Sequence, residues 1–231
     1  MRPMYVRGVT EPDHVSTARA VYDATAEAYA ELVGTELTPV FEGPVDRAIL
    51  SAFVENLTEG TAGPVADVGC GPGRVTAFLA ANGVEVVGVD VSPAMLAVAR
   101  DAHPAIQFYE GRLTAVPVSD HSLAGAVCWY SIIHTPPEQL DEVFTELKRA
   151  LTLEGYLLVA FQAGDGDRVY RADAYRTGLP LTNYQHSAED VARQMAAAGF
   201  RVLARAEREP DLHHETTRQA FLVARAYGPG N

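Results

Sequence analysis

The stretch Asp67-Val68-Gly69-Cys70-Gly71-Pro72-Gly73 places an acid and three alternating glycines between an apolar run and a helix-forming one. Glycines at such a turn let the backbone approach a ligand closely and adopt positive φ. A second acid, Asp90, closes the next apolar run, 21 residues after Gly69. A carboxylate at a strand end can accept both hydroxyl protons of a ribose, whichever nucleoside carries it. Asp90 could instead cap the following helix, although Ser92 already suits that place. A third centre is Trp129-Tyr130-Ser131-Ile132-Ile133-His134. Histidine is the side chain most often used to remove a proton near neutral pH. His134 is therefore the first candidate for a catalytic base, against the alternative of ordering the loop before Pro136-Pro137.

These residues need elements to position them. Apolar spacing predicts a helix over 15–32, with Ala18, Val21, Tyr22, Ala26, Tyr29 and Leu32 or Val33 on one face, and a second over 45–57. The first ten residues read as a loose arm. Strand and helix then alternate, with strands over 64–69, 84–90, 106–111, 123–131 and 155–162 and helices over 74–83, 92–102 and 136–151. A weakly periodic stretch of about 25 residues follows, then a capped helix over 187–200 and two strands over 201–209 and 217–226. The alternation predicts an α/β, doubly wound parallel sheet with the first strand near the switch point. The last two strands, with no helix between them, form a hairpin that brings one antiparallel strand into the sheet. The organisation expected is one domain: a helical cap over 1–60, a cofactor-binding core over 61–163, a substrate lid over 164–186, and a C-terminal helix and hairpin over 187–231.

Composition narrows the partners. The chain has 231 residues, 48% of them hydrophobic, and a formal net charge of -12, with no lysine or arginine stripe. Such a field repels nucleic acid. The two cysteines, Cys70 and Cys128, have no cysteine neighbours, so neither a disulfide framework nor a metal site is expected. With no signal-like segment and no apolar run of about 18 residues, the expectation is a cytoplasmic protein, not a membrane one, a monomer or homodimer acting on a small molecule.

Three ligand classes compete for the glycine loop. A triphosphate cradle needs a GK[ST] ending, and the loop continues Gly73-Arg74-Val75. The dinucleotide fingerprint needs glycine or alanine where this chain has Arg74, counting from Gly69, or Thr76, counting from Gly71. What remains, DVGCGPG, resembles the first motif of the class I S-adenosylmethionine-dependent methyltransferases. The resemblance implies that Gly69, Gly71 and Gly73 run beside the methionine and ribose of that cofactor, that Asp67 faces its amino group, and that Asp90 and Val91 hold the ribose. It implies a Rossmann-like seven-stranded sheet of order 3-2-1-4-5-7-6, strand 7 antiparallel, with N-terminal helices.

Further stretches extend the likeness across 65–162. Glu110-Gly111-Arg112-Leu113 with Val116-Pro117 is similar to the family's adenine-contacting stretch, with Arg112 where an acid is usual. Tyr22-Asp23 and Ala28-Tyr29 look like the N-terminal helix that covers the cofactor in small-molecule members, which implicates Tyr22, Tyr29 and also Tyr130. By position, Trp129, Ser131, Arg168, Tyr170, Tyr175 and His186 become candidates for the acceptor pocket. The implied activity is methyl transfer from S-adenosylmethionine, yielding S-adenosylhomocysteine, to a small-molecule oxygen in preference to nitrogen. The rivals are a nicotinamide-dependent oxidoreductase and a cofactor-binding protein without turnover.

Overall fold

In the computed structural model, which describes residues 13–60 and 63–228, the chain opens with helices α1 (Asp13–Val33) and α2 (Pro44–Gly60). The expected arm over the first ten residues lies outside the described residues. Alternation follows as β1 (Val65–Val68), α3 (Arg74–Ala81), β2 (Val86–Asp90), α4 (Pro93–Ala102), β3 (Gln107–Glu110) and β4 (Leu123–Trp129). Two short 3-10 turns, Ile132–His134 and Pro137–Gln139, lead to α5 (Leu140–Ala150) and β5 (Leu151–Gln162). Then come β6 (Asp167–Arg171), a 3-10 turn at Ala174–Arg176, β7 (Leu181–Gln185), α6 (Ala188–Ala197), β8 (Phe200–Arg208) and β9 (Gln219–Ala226).

Seven strands form one sheet in the order β3-β2-β1-β4-β5-β9-β8, with β6 and β7 in a separate two-stranded sheet. The first five are mutually parallel and β9 is antiparallel to both neighbours. Counted within the large sheet, this is the expected 3-2-1-4-5-7-6. Every residue of β1 and β4 is buried, as parallel strands covered on both faces must be. On one face Leu50, Phe53 and Leu57 of α2 and Leu79 of α3 pack on Val65, Val127 and Leu158. On the other, Phe144 and Leu147 of α5 and Met195 of α6 pack on Val68, Ala126 and Cys128. The period-2 alternation of strand side chains assigns those residues to opposite faces. Edge strand β8 carries Arg201 and Arg205 outward, charges that discourage pairing with another sheet.

Three local readings change. The 152–154 stretch, left between the expected helix and strand, belongs to β5: a bulge there, with Glu154 at φ +67°, moves the pairing from Leu123↔Leu151 to Gly125↔Tyr156. Helix α5 starts later than expected, because Pro136-Pro137 lead into a 3-10 turn instead of its first turn. The aperiodic stretch is a hairpin, β6 pairing with β7 from Asp167↔Gln185 to Arg171↔Leu181. Each strand is only five residues long, too short for its alternation to stand out.

One buried ion cluster joins α2 to the β8–β9 connection. Arg208 donates from Nε and Nη2 to Asp46 at 2.9 and 2.8 Å and from Nη1 and Nη2 to Glu215 at 2.7 and 2.6 Å. Burial pushes the Glu215 carboxyl up, but Arg208 and the N–H groups of Asp211 and Leu212 outweigh it and hold it at about 2. Glu215 therefore lends stability that is complete above about 4.5, its ordinary value, and is lost as pH falls toward 2. Arg208→Ala leaves two buried carboxylates unpaired. It is expected to lower the unfolding free energy by about 3 kcal/mol in denaturant titrations at neutral pH; a change under about 1 kcal/mol would show that the cluster does not hold α2.

Candidate active site

A cavity of about 520 Å³ opens over the carboxyl ends of β1, β2 and β4. Its floor is the glycine loop. Gly69 and Cys70 donate their N–H groups to the Val89 carbonyl at 2.7 and 3.0 Å, so the loop is stitched to β2. At Gly69, with φ +82°, a Cβ would lie 2.2 Å from Cβ of Ser131, so no side chain fits. At Gly71, with φ +53°, a Cβ would meet nothing within 4 Å. That bare backbone lines the cavity.

Two buried acids flank the loop. Asp90 accepts the Gly71 N–H through Oδ2 and the Ser92 N–H through Oδ1, both at 2.8 Å. It thus ties the loop to the cap residue of α4 as well as facing the cavity, and its oxygens keep lone pairs for further donors. Burial raises its pKa, opposed by those N–H groups. Asp67 accepts the Thr76 hydroxyl at 2.6 Å through Oδ2, while its Oδ1 is buried without a partner. Burial lifts its pKa to about 7 against the Thr76 hydrogen bond. An unpartnered carboxylate oxygen beside an open glycine backbone suits a ligand that carries positive charge and hydroxyl donors.

Helix α1 roofs this half. Asp23 Oδ1 accepts the Ser92 hydroxyl at 2.6 Å and the Ala94 N–H at 3.2 Å, docking α1 on the start of α4. Ser92 in turn accepts the Met95 N–H at 3.1 Å as the N-cap. Tyr22 and Tyr29 consequently face the cavity with ring centroids 5.6 Å apart. Tyr175, on the turn between β6 and β7, packs on both at 6.0 and 5.6 Å. Tyr175 and Arg176 have φ of +52° and +60°, a conformation that non-glycine residues hold only where the surroundings enforce it.

His134 sits under the same hairpin. Its Nδ1 lies 3.0 Å from the Thr182 carbonyl, which can only accept, so that nitrogen carries the proton. Nε2 then accepts the Tyr22 hydroxyl at 2.9 Å. Burial drives the imidazole down to about 4, beyond what the Thr182 hydrogen bond restores. The ring is a neutral acceptor already engaged.

Val91, Arg112, Leu113, Trp129, Tyr130 and Ser131, all singled out in the sequence, line the cavity. Four expected site residues do not. Gly73 is turned into the packing, where a Cβ would press on His103 and Phe108. Arg168 and Tyr170 lie on the outer face of β6, and strand alternation gives the cavity Val169 and Arg171 instead. His186 is buried away from the cavity, its Nε2 3.1 Å from the Ile132 carbonyl and its ring beside Phe161.

Sequence reasoning missed part of the cavity wall. Arg74 pairs with Glu42, donates to the Val33 carbonyl at 3.1 Å and lies over Phe41. Asn183, Gln219 and the 214–217 segment complete the lining. The parity of a recognised β7 would have found Asn183; no local pattern signals the others.

Residues 65–155 match the family model described as a methyltransferase domain. An uncharacterized methyltransferase of Alkaliphilus oremlandii is 25% identical over 162 residues, 69% of this chain and 71% of that protein. The malonyl-[acyl-carrier protein] O-methyltransferase of Enterobacter lignolyticus is 32% identical over 101 residues, 44% of this chain but only 39% of that protein's length. Among solved structures, that of the [4+2]-cyclase SpnF aligns with TM-score 0.71 and 17% identity over 92% of this chain and 96% of its own.

Asp67 also makes this site measurable without any ligand. Its folded pKa of about 7 stands above the ordinary 3.8, so the stability it lends is complete below 3.8 and lost as pH rises through 7. Asp67→Asn removes that loss. The variant's advantage in melting temperature over wild type is expected to grow between about pH 4 and pH 8. A gap independent of pH would place Asp67 in an ordinary solvated setting.

Proposed function

We propose that the chain, whose residues 65–155 match a methyltransferase domain, is a class I S-adenosylmethionine-dependent methyltransferase that methylates an oxygen of a small molecule that arrives already anionic, a carboxylate first of all. The observation that carries the acceptor assignment is His134. An imidazole held near a pKa of 4, with Nε2 occupied by Tyr22, is a poor base at neutral pH. An acceptor that has already lost its proton needs none. Arg171 supports the same reading: it lines the cavity from β6 and has no ion-pair partner among the described residues.

The unpartnered Oδ1 of Asp67 and the open backbone at Gly71 fit S-adenosylmethionine. When bound, the cofactor supplies a methyl group on a sulfonium, already activated for in-line displacement. Asp67 would hold its ammonium group, Asp90 and Val91 its ribose, and Arg112 and Leu113 the adenine end. Tyr22, Tyr29 and Tyr175 exclude water from above, and positioning and desolvation supply most of the acceleration. His134 and Tyr22 fix one another and tie α1 to β7, so His134 acts in positioning.

Two measurements test this. Calorimetric titration with S-adenosylhomocysteine is expected to show micromolar binding where NADH shows none, and Asp90→Ala to weaken it by about 1.5–3 kcal/mol, the loss of charge-assisted hydrogen bonds. Unchanged affinity removes Asp90 from the ribose site. Turnover of a carboxylate acceptor at saturating cofactor is expected to stay flat between about pH 6 and pH 8, in wild type and in His134→Gln alike. A wild-type fall toward acid that disappears in the variant would make His134 the base after all.

A further inference from the structure

Two further buried polar groups along the cavity have no partner. Trp129 ends β4, its indole ring edge-on to Tyr130 at 5.6 Å and tilted against Phe221 at 5.6 Å, so its orientation is set by packing. Its Nε1–H is buried without an acceptor. Asn183 lies on β7, only 5% exposed, and its Oδ1 has no donor. Both residues line the cavity. An indole N–H can only donate and a carboxamide oxygen only accepts. The two orphaned groups are therefore of opposite sense, and a buried polar atom left unpaired costs about 1–3 kcal/mol.

Gln162, Gln185 and Gln219 line the same cavity. Gln219 donates Nε2 to the Thr217 carbonyl at 2.7 Å. Arg171 stands two residues from Val169, the cross-strand partner of Asn183, and so shares the hairpin face that looks into the cavity. A hydrocarbon tail would leave the Trp129 N–H and the Asn183 Oδ1 unpaired. A molecule bearing an oxygen for Trp129, a hydroxyl proton for Asn183 and an anionic group drawn by Arg171 would satisfy them.

We propose that Trp129 and Asn183 are the specificity residues for the methyl acceptor, and that the subsite they form selects a small hydroxylated carboxylic acid. Trp129 donates to an acceptor oxygen and Asn183 receives the acceptor's hydroxyl proton. A site built around a hydroxyl rejects the analogue lacking it strongly, because its own buried groups are then left without partners. The proposal rests on the methyltransferase reading for the reaction, but the binding chemistry does not depend on it.

The test uses matched acids that differ by one hydroxyl: 4-hydroxybenzoate and 2-hydroxybenzoate against benzoate, and malate against succinate, with hexanoate as the apolar control. Each is titrated calorimetrically into protein saturated with S-adenosylhomocysteine, and ester formation is then followed with S-adenosylmethionine. Wild type is expected to bind the hydroxylated member of at least one pair about tenfold or more tighter than its partner. Asn183→Leu, close in size and unable to accept, should reduce that preference to within about threefold. Trp129→Phe, which keeps an aromatic ring and removes the N–H, should weaken both members of the pair by about tenfold. Affinity for S-adenosylhomocysteine should stay within about threefold of wild type in both variants, as it must if neither group serves the cofactor.

A preference that survives in Asn183→Leu overturns the proposal, as does hexanoate binding as tightly as the hydroxy acids, or none of the acids binding. Loss of S-adenosylhomocysteine affinity in both variants also overturns it, by assigning the orphaned atoms to the cofactor. Selective binding of the hydroxy acids without ester formation supports the subsite and sinks the methyl-transfer reading instead.

Discussion

The Asp90 carboxylate is the point on which the site is assembled. It takes one N–H from the glycine loop, at Gly71, and one from the entrance of α4, at Ser92. Ser92 passes the connection on by donating to Asp23, which brings α1 over the cavity with Tyr22 and Tyr29 on its lower face. Loop, strand, helix and roof are thus linked through one buried acid. Water cannot substitute at such a place without loosening three elements together.

The same arrangement stores instability. Asp67 and Asp90 are both buried and burial raises both pKa values; the Asp90 charge raises that of Asp67 further, Asp23 raises that of Asp90, and hydrogen bonds oppose the rise at each. Asp67 has an oxygen with no partner at all. Binding sites keep such groups because a ligand satisfies them, at a cost in the stability of the empty protein. The rest of the fold offsets that cost with layers of buried Leu, Val and Phe on both faces of the sheet and with the Arg208 cluster that anchors α2.

His134 shows why residue type alone misleads about chemistry. In sequence it stands after an apolar strand, where a base would be useful. In the fold its two nitrogens are taken by Thr182, 48 residues away, and Tyr22, 112 residues away. Neither partner is visible locally; they fix the ring's orientation, and burial lowers its pKa against the Thr182 hydrogen bond. Arg168 and Tyr170 fail for a different reason. A shift of one residue along a strand exchanges faces, so without recognising β6 the choice between Tyr170 and Arg171 could not be made.

What the sequence by itself determined is everything carried by contiguous residues. The alternation of strand and helix, the missing helix before the last strand, the acid-led glycine loop and the Ser92 cap each follow from local propensity and turn chemistry. The elements of the sheet were legible for that reason, while its order came from the family resemblance of the glycine loop. What only the tertiary structure decided is the other half: the neutral state of His134, the inward face of the β6–β7 hairpin, the wall at 214–217 and the paired silence of Trp129 and Asn183. Desolvation and hydrogen-bond satisfaction depend on which distant atoms close around a group, and no local pattern encodes which those are.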